Sequence, residues 1–102
     1  MAQKLINGRV LTPAGLQDGL AVVIADGRIA AVAPAAEAPD GDPVDLEGRM
    51  LVPGFIDTQV NGGGGVLFND SPSIEAIATI GAAHRAYGTT GFLPTLISDD
   101  LA

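Results

Sequence analysis

The chain has no cysteine, no tryptophan, one histidine and one tyrosine. Without cysteine there is no disulfide scaffold, no thiolate metal site and no thiol nucleophile. Positive charge is also scarce. Five Lys and Arg face 12 Asp and Glu, for a net charge of −7 and a pI near 4.2. That balance argues against nucleic acid and against anionic membrane surfaces as partners. Long apolar runs are missing as well: no uncharged window reaches the ~18 residues of a spanning helix. The opening residues Met1 to Gly8 carry no apolar signal core. The expectation is a cytoplasmic protein that meets neither membrane nor nucleic acid.

What is present is glycine, 14 residues of it, with seven prolines and an apolar fraction of 47% that is rich in alanine. A chain of 102 residues can bury one modest core, broken by many turns. Residues 1–50 read as short strands. Lys4 to Leu11 is strand-like around Asn7-Gly8, a pair that favours a tight turn or a bulge. Asp18-Gly19 marks a turn. Leu20 to Ile24 and Arg28 to Val32 flank Ala25-Asp26-Gly27, and Asp-Gly between two apolar runs is a strong hairpin signal. Pro34 to Pro43 reads as a loop, and the acidic run from Glu37 to Asp45 as a solvated one. Val44 to Leu46 and Met50 to Val52 are two more short strands.

The chain is organised around Leu51 to Asp70. Phe55 to Val60 has the length of a buried strand, and Pro53-Gly54 punctuates its start. Side chains alternate faces along a strand. Asp57 and Gln59 therefore share one face, joined by Asn61 if the extended geometry persists; Ile56, Thr58 and Val60 take the other. Polar groups converging at a strand end before a glycine-rich loop are how α/β proteins build sites. Asn69 to Pro72 reads as a helix start, capped by Asp70 or Ser71 with Pro72 in the first turn. Ile74, Ile77, Ile80, Gly81, His84 and Tyr87 form one arc of that helix, and Gly88 ends it. Gly91 to Ile97 is a second buried strand, bent or ended early by Pro94. Strand, helix and strand make one βαβ unit with parallel pairing and a right-handed crossover.

The series from Pro53 to Gly65, with Phe68-Asn69-Asp70 and then Gly88 to Ile97, resembles the N-terminal part of the N-acetylglucosamine-6-phosphate deacetylase family of amidohydrolases. The likeness takes in Ile6-Asn7-Gly8-Arg9-Val10 and the Asp26-Gly27 hairpin too. It implies an α/β fold with a small β-domain: a β-sandwich-like segment over residues 1–52, then from residue 53 to 102 the first β-α-β unit of a (β/α)₈ TIM barrel, truncated. Most amidohydrolases end the first barrel strand in Asp-x-His-x-His, whose histidines bind metal. Here the positions are Asp57, Gln59 and Asn61. Neutral amides are poor ligands for zinc-like ions, and the deacetylases share this departure. The resemblance implies a divalent, zinc-like metal held by a Glu and two His beyond Ala102, with a later Asp as general base. Catalytic and metal residues are then expected outside this chain. Gln59 and Asn61 would wall the site, Asp57 would brace the strand end, and Gly62, Gly63, Gly64 and Gly65 would form an active-site loop. The substrate would be a small amino-sugar phosphate, and the isolated chain would bind no metal and lack activity.

Plainer accounts of the same residues stand beside these. Gln59 and Asn61 could simply cap a strand end. The four glycines could be a flexible turn or a place of close backbone packing; a phosphate cradle is disfavoured because no Gly-Lys-Ser/Thr follows and Leu67 breaks the Gly-x-Gly-x-x-Gly pattern. His84, alone and mid-helix, reads as a packed, hydrogen-bonded residue. Two other functions remain open. One is another amidohydrolase, dihydroorotase-like or deaminase-like, against which Asp-x-Gln-x-Asn argues. The other is a non-catalytic β-rich folding or interaction module, pairing with a partner or with itself through apolar surface on Phe55, Ile56, Phe92 and Leu96. A homo-oligomer is expected either way.

Overall fold

The computed structural model describes residues 1–98, and the chain falls into two compact units, Met1–Pro53 and Gly54–Ala102. The first unit is all β. Its strands are β1 (Ala2–Ile6), β2 (Arg9–Thr12), β3 (Gly15–Gln17), β4 (Leu20–Ala25), β5 (Arg28–Pro34), β6 (Asp42–Asp45) and β7 (Met50–Leu51). They form a four-stranded sheet, β5-β4-β1-β6, and a three-stranded one, β3-β2-β7. β1 and β2 enter different sheets because Asn7 (φ +58°) turns the chain between them. Gly8 cannot carry a side chain there, since a Cβ would run into Leu46 and the Arg49 carbonyl.

The Asp26-Gly27 hairpin forms as its residues require. Both sit at positive φ, +52° and +72°, the pattern of a two-residue type I′ turn. The β4–β5 register then slips once, pairing Val23 with Ala31 and Ile24 with Ile29. Ala30 is the extra residue, and the bulge brings Ile29 to the face of Val32. One side of β4 is thus mostly small: Ala21 and Val23 pack with Ala38, Ala31, Ala33 and Ala35, and with Ala2 and the larger Ile6 of β1. The other side carries Val22 and Ile24, which with Leu5, Val10, Ile29 and Leu51 line an apolar cavity of about 430 Å³. Alanine here packs the sheet closely where larger side chains would hold the loop away.

The acidic run is only partly a loop. Asp42–Asp45 is an edge strand pairing parallel to β1, Leu5 opposite Val44, which moves the strand expected over residues 44–46 toward the N-terminus. Carboxylates and Pro43 along an outer edge blunt it against further pairing. Ala38 is buried and its carbonyl accepts a bond from Lys4 Nζ at 3.3 Å, so this part of the connection is packed, not solvated.

The second unit holds β8 (Phe55–Val60), β9 (Gly62–Gly63), β10 (Val66–Leu67), α1 (Ile74–Arg85) and β11 (Thr89–Pro94). β8 and β11 pair in parallel, with α1 between them in sequence, and β11 ends at Pro94 as its missing N–H requires. The helix departs from the sequence expectation at both ends. Its cap is Ser73, whose hydroxyl accepts from the Ala76 N–H at 3.1 Å. Asp70 and Ser71 instead belong to a turn closed by bonds to the Leu67 carbonyl, and Pro72 precedes the cap. At the far end α1 stops at Arg85; two further bonds, Tyr87 N–H to His84 and Gly88 N–H to Arg85, carry the chain to Gly88 at φ +99°. The buried arc is correspondingly shifted. Ile80 is fully buried and Ala76 nearly so, whereas Ile74 and Tyr87 are exposed. Ile74 lies about 120° around the wheel from Ile80, and Tyr87 lies past the helix end.

Candidate functional site

The polar residues at the end of β8 sit where two parallel strands finish together. Val60 pairs with Pro94, and the Thr95 N–H donates to the Val60 carbonyl at 2.8 Å. The strand register qualifies the simple alternation. Asp57 pairs with Phe92 and Val60 with Pro94, so three steps along β8 match two along β11. Phe92 lies on the helix side, since a Cβ on Gly81 of α1 would strike its ring. Partners across a parallel pair share a face, which sets half-buried Asp57 with Phe92 and leaves Thr58 and Gln59 exposed opposite exposed Leu93. Asp57 Oδ1 accepts from the Gln59 N–H at 3.1 Å, a local bond that holds this bulged strand end. The one-faced triad expected from strict alternation thus meets a bulge between Asp57 and Val60. Gln59 and Asn61 are both exposed amides beyond Asp57.

The four glycines are not a loop but the heart of a hairpin. Gly62 pairs with Leu67 and Gly63 with Val66; Gly64 and Gly65, at φ +62° and +78°, make the turn that only such residues adopt readily. The hairpin lies against α1 at backbone distance. A Cβ on Gly63 would come within 3.0 Å of His84 Nε2, and one on Gly64 within 3.1 Å of the Thr79 side chain. His84 Nε2 is 2.9 Å from the Gly62 carbonyl. A carbonyl can only accept, so Nε2 carries the proton. The lone histidine is therefore a packed, hydrogen-bonded residue that ties the hairpin to the helix.

Asn69 is a residue that sequence reasoning passed over. Its amide donates to the Ile97 carbonyl at 2.9 Å and accepts from the Ile97 N–H at 2.8 Å. The side chain imitates a strand partner and anchors the segment after β11 beside the turn that follows the hairpin. In sequence Asn69 read only as the first residue of a helix start, because its partner lies 28 residues on.

These groups can bind by hydrogen bonds but do not form a metal centre. Among the described residues no three of His, Cys, Asp and Glu gather to hold an ion. The polar residues that follow Asp57 at alternate positions, Gln59 and Asn61, are neutral amides, and His84 uses Nε2 on a carbonyl. The residues present do not fit a zinc-like ion, and any such ion has its ligands elsewhere.

No family model matches the chain. Curated relatives do. An N-acetylgalactosamine-6-phosphate deacetylase of Shewanella sp. (strain ANA-3) is 43% identical over 98 residues, 93% of this chain and 25% of the relative. The N-acetylglucosamine-6-phosphate deacetylase of Haemophilus influenzae is 41% identical over 99 residues, 96% of this chain and 26% of its own. A dihydroorotase of Solibacter usitatus is 40% identical over 87 residues, 84% of this chain and 19% of its own. Among solved structures, N-acetylglucosamine-6-phosphate deacetylase from Pasteurella multocida superposes with a TM-score of 0.90 at 32% identity, over 99% of this chain and 27% of that one. The resemblance read from Pro53 to Ile97 is thus borne out over nearly the whole chain. The chain spans about a quarter of the length of the deacetylases it matches.

Proposed function

We propose that this chain forms the opening quarter of a metal-dependent deacetylase that hydrolyses the acetamide of an N-acetylhexosamine 6-phosphate, N-acetylglucosamine 6-phosphate first among them. One observation carries the proposal: Asp57-x-Gln59-x-Asn61 stands at the end of a strand paired in parallel with β11, in a chain homologous to deacetylases along nearly its full length. The galacto name of one relative widens the class to both epimers. In this reading residues 1–52 belong to a small β-domain and residues 53–102 begin a (β/α)₈ barrel, in a cytoplasmic homo-oligomer.

A divalent metal, supplied with ligands by the remaining three quarters, would polarise the amide and a water in the full enzyme. This chain's own share is hydrogen bonding and shape. Gln59 and Asn61 present neutral donors and acceptors that suit an acetamide and carry no charge to compete for the ion. Asp57 spends a carboxylate oxygen on the Gln59 N–H and so fixes the backbone from which Gln59 projects. The dihydroorotase likeness supports a second reading, a different amidohydrolase; the amide pair favours the first.

The test is a graft. This chain replaces the matching quarter of the Haemophilus influenzae deacetylase, and acetate release is followed from both 6-phosphates. We expect release from at least one. Asn61→Leu in the graft should lower kcat by about 10²-fold, the scale for removing one hydrogen bond at a reacting carbonyl. The 102-residue chain alone, with zinc added, should release none. A folded graft with no activity on either sugar, or turnover by the chain alone, overturns the proposal.

A further inference from the structure

Two Asn-Gly pairs occur in the chain, Asn7-Gly8 and Asn61-Gly62, and the fold braces their glycines differently. Asn-Gly is the dipeptide in which a backbone nitrogen most readily attacks the preceding side-chain amide, because glycine has no Cβ in the way. From sequence the two are equivalent. In the structure the Asn7 side chain is exposed like that of Asn61, but the backbone it would react with is clamped: Gly8 is buried against Leu46 and the Arg49 carbonyl. Three hydrogen bonds between residues 6–9 and the turn at 46–49 surround it, Leu46 N–H to Ile6, Gly48 N–H to Asn7 and Arg9 N–H to Arg49, at 2.7–3.0 Å.

Asn61-Gly62 is open on the side that reacts. Phe68 N–H donates to the Asn61 carbonyl at 2.8 Å, and Gly63 pairs with Val66. Hydrogen-bonded and non-bonded pairs alternate along an antiparallel ladder, so Gly62–Leu67 is a non-bonded pair. Both polar groups of Gly62 therefore point away from β10. Its carbonyl goes to His84; its N–H has no acceptor among the described residues. The Asn61 side chain is exposed and likewise without a hydrogen bond among the described residues, unlike Asn69, whose amide is held twice by Ile97.

We infer that Asn61-Gly62 is a self-modifying site at which the Asn61 amide is converted to a carboxylate while Asn7-Gly8 is protected. The Gly62 nitrogen attacks Asn61 Cγ, a new N–Cγ bond forms, the Cγ–Nδ2 bond breaks, and Nδ2 leaves as ammonia carrying a proton from the Gly62 amide. Water then opens the cyclic imide at either carbonyl, giving Asp or its β-linked isomer at position 61. The product places a charge and an ion-binding oxygen where the strand end held a neutral amide. The chemistry does not depend on the function proposed above, although the weight of its consequence does. His84 restrains the reaction, because it holds the carbonyl of the attacking residue and keeps the hairpin closed.

The test is incubation of the folded 102-residue chain at neutral pH and 37 °C, with peptide mapping at intervals. Expected is a gain of about one dalton, with paired Asp and isoAsp products, accumulating at Asn61 severalfold faster than at Asn7. In concentrated urea the two sites should react alike. Gly62→Ala should abolish the gain at Asn61, and His84→Ala should accelerate it. Equal rates at both sites in the folded chain, a faster rate at Asn7, or no gain at Asn61 that exceeds the Gly62→Ala control would overturn the inference. Because the readout is mass, the outcome stands whether or not the graft deacetylates sugar.

Discussion

Glycine at position 63 is fixed by what lies above it and not by its own conformation. Its φ is ordinary, unlike those of Gly64 and Gly65, yet a methyl group there would sit 3.0–3.1 Å from the His84 ring. The imidazole is a side-chain end and can swing aside, but only by releasing the Gly62 carbonyl. Gly63→Ala should therefore cost about 0.5–1.5 kcal/mol, the net worth of one such bond, read as a lower urea midpoint. His84→Ala in the same background should then cost almost nothing more, since the bond is already lost; additive losses would show that the two residues act separately. Ser73 is a second isolated case. Its hydroxyl accepts from the Ala76 N–H, so Ser73→Ala should cost about 1 kcal/mol, whereas Ser71→Ala, removing the cap expected from sequence, should cost little.

Within elements, the helix carries the second unit's core. Ile80 is wholly enclosed, so Ile80→Ala should cost about 2–5 kcal/mol by lost transfer energy plus a cavity. Amide exchange should speed together in α1 and in β9, β10 and β11, the elements packed on it. How much of this was legible in the sequence follows from the range of the forces involved. β8, the Asp26-Gly27 hairpin and the end of β11 at Pro94 were readable, because turn chemistry and the missing proline donor act within a few residues. The glycine run read as a loop or as close backbone packing, and the packing is there; its hairpin pairing was missed because a two-residue strand with no side chains leaves no periodicity. The Asp42-Pro43 start of β6 read as solvated loop, and only Val44 onward as strand, because its partner, β1, lies about 40 residues earlier and parallel pairing has no local signal. The bulges were invisible for the same reason: Ala30, and the slip near Gln59, exist only relative to a neighbouring strand. For the candidate site, the identities of Asp57, Gln59 and Asn61 were legible, while the bulge that sets Asp57 apart from Gln59 was not. Ser73 was missed because Asp70 and Ser71 offered equal caps, and only the bonds to Leu67 decide among them.

At the scale of the molecule, the second unit has apolar side chains that its own elements do not cover. Phe55, Ile56, Leu93 and Leu96 are more exposed than buried, Ile56 at 76%. Phe92, expected in the same set, is half-buried against Gly81. A two-stranded parallel sheet with one helix is an arrangement seldom found uncovered, since parallel strands are ordinarily buried on both faces. In the proposed full-length enzyme the following barrel strands would supply the cover. For the 102-residue chain a second copy is the nearest substitute, and the edges of β8 and β11 offer unpaired backbone for it. Light scattering after size exclusion should then give a mass that climbs above 10.2 kDa as concentration rises. Ile56→Glu should return it to the monomer mass, because it sets a carboxylate at the centre of the exposed patch without touching Ile80 or the hairpin. Val52→Glu, in the first unit, serves as the control and should leave the concentration dependence of β8-mediated association in place. A chain that stays at monomer mass across the accessible range would show that α1 and the hairpin shield this sheet well enough for the unit to stand without a partner.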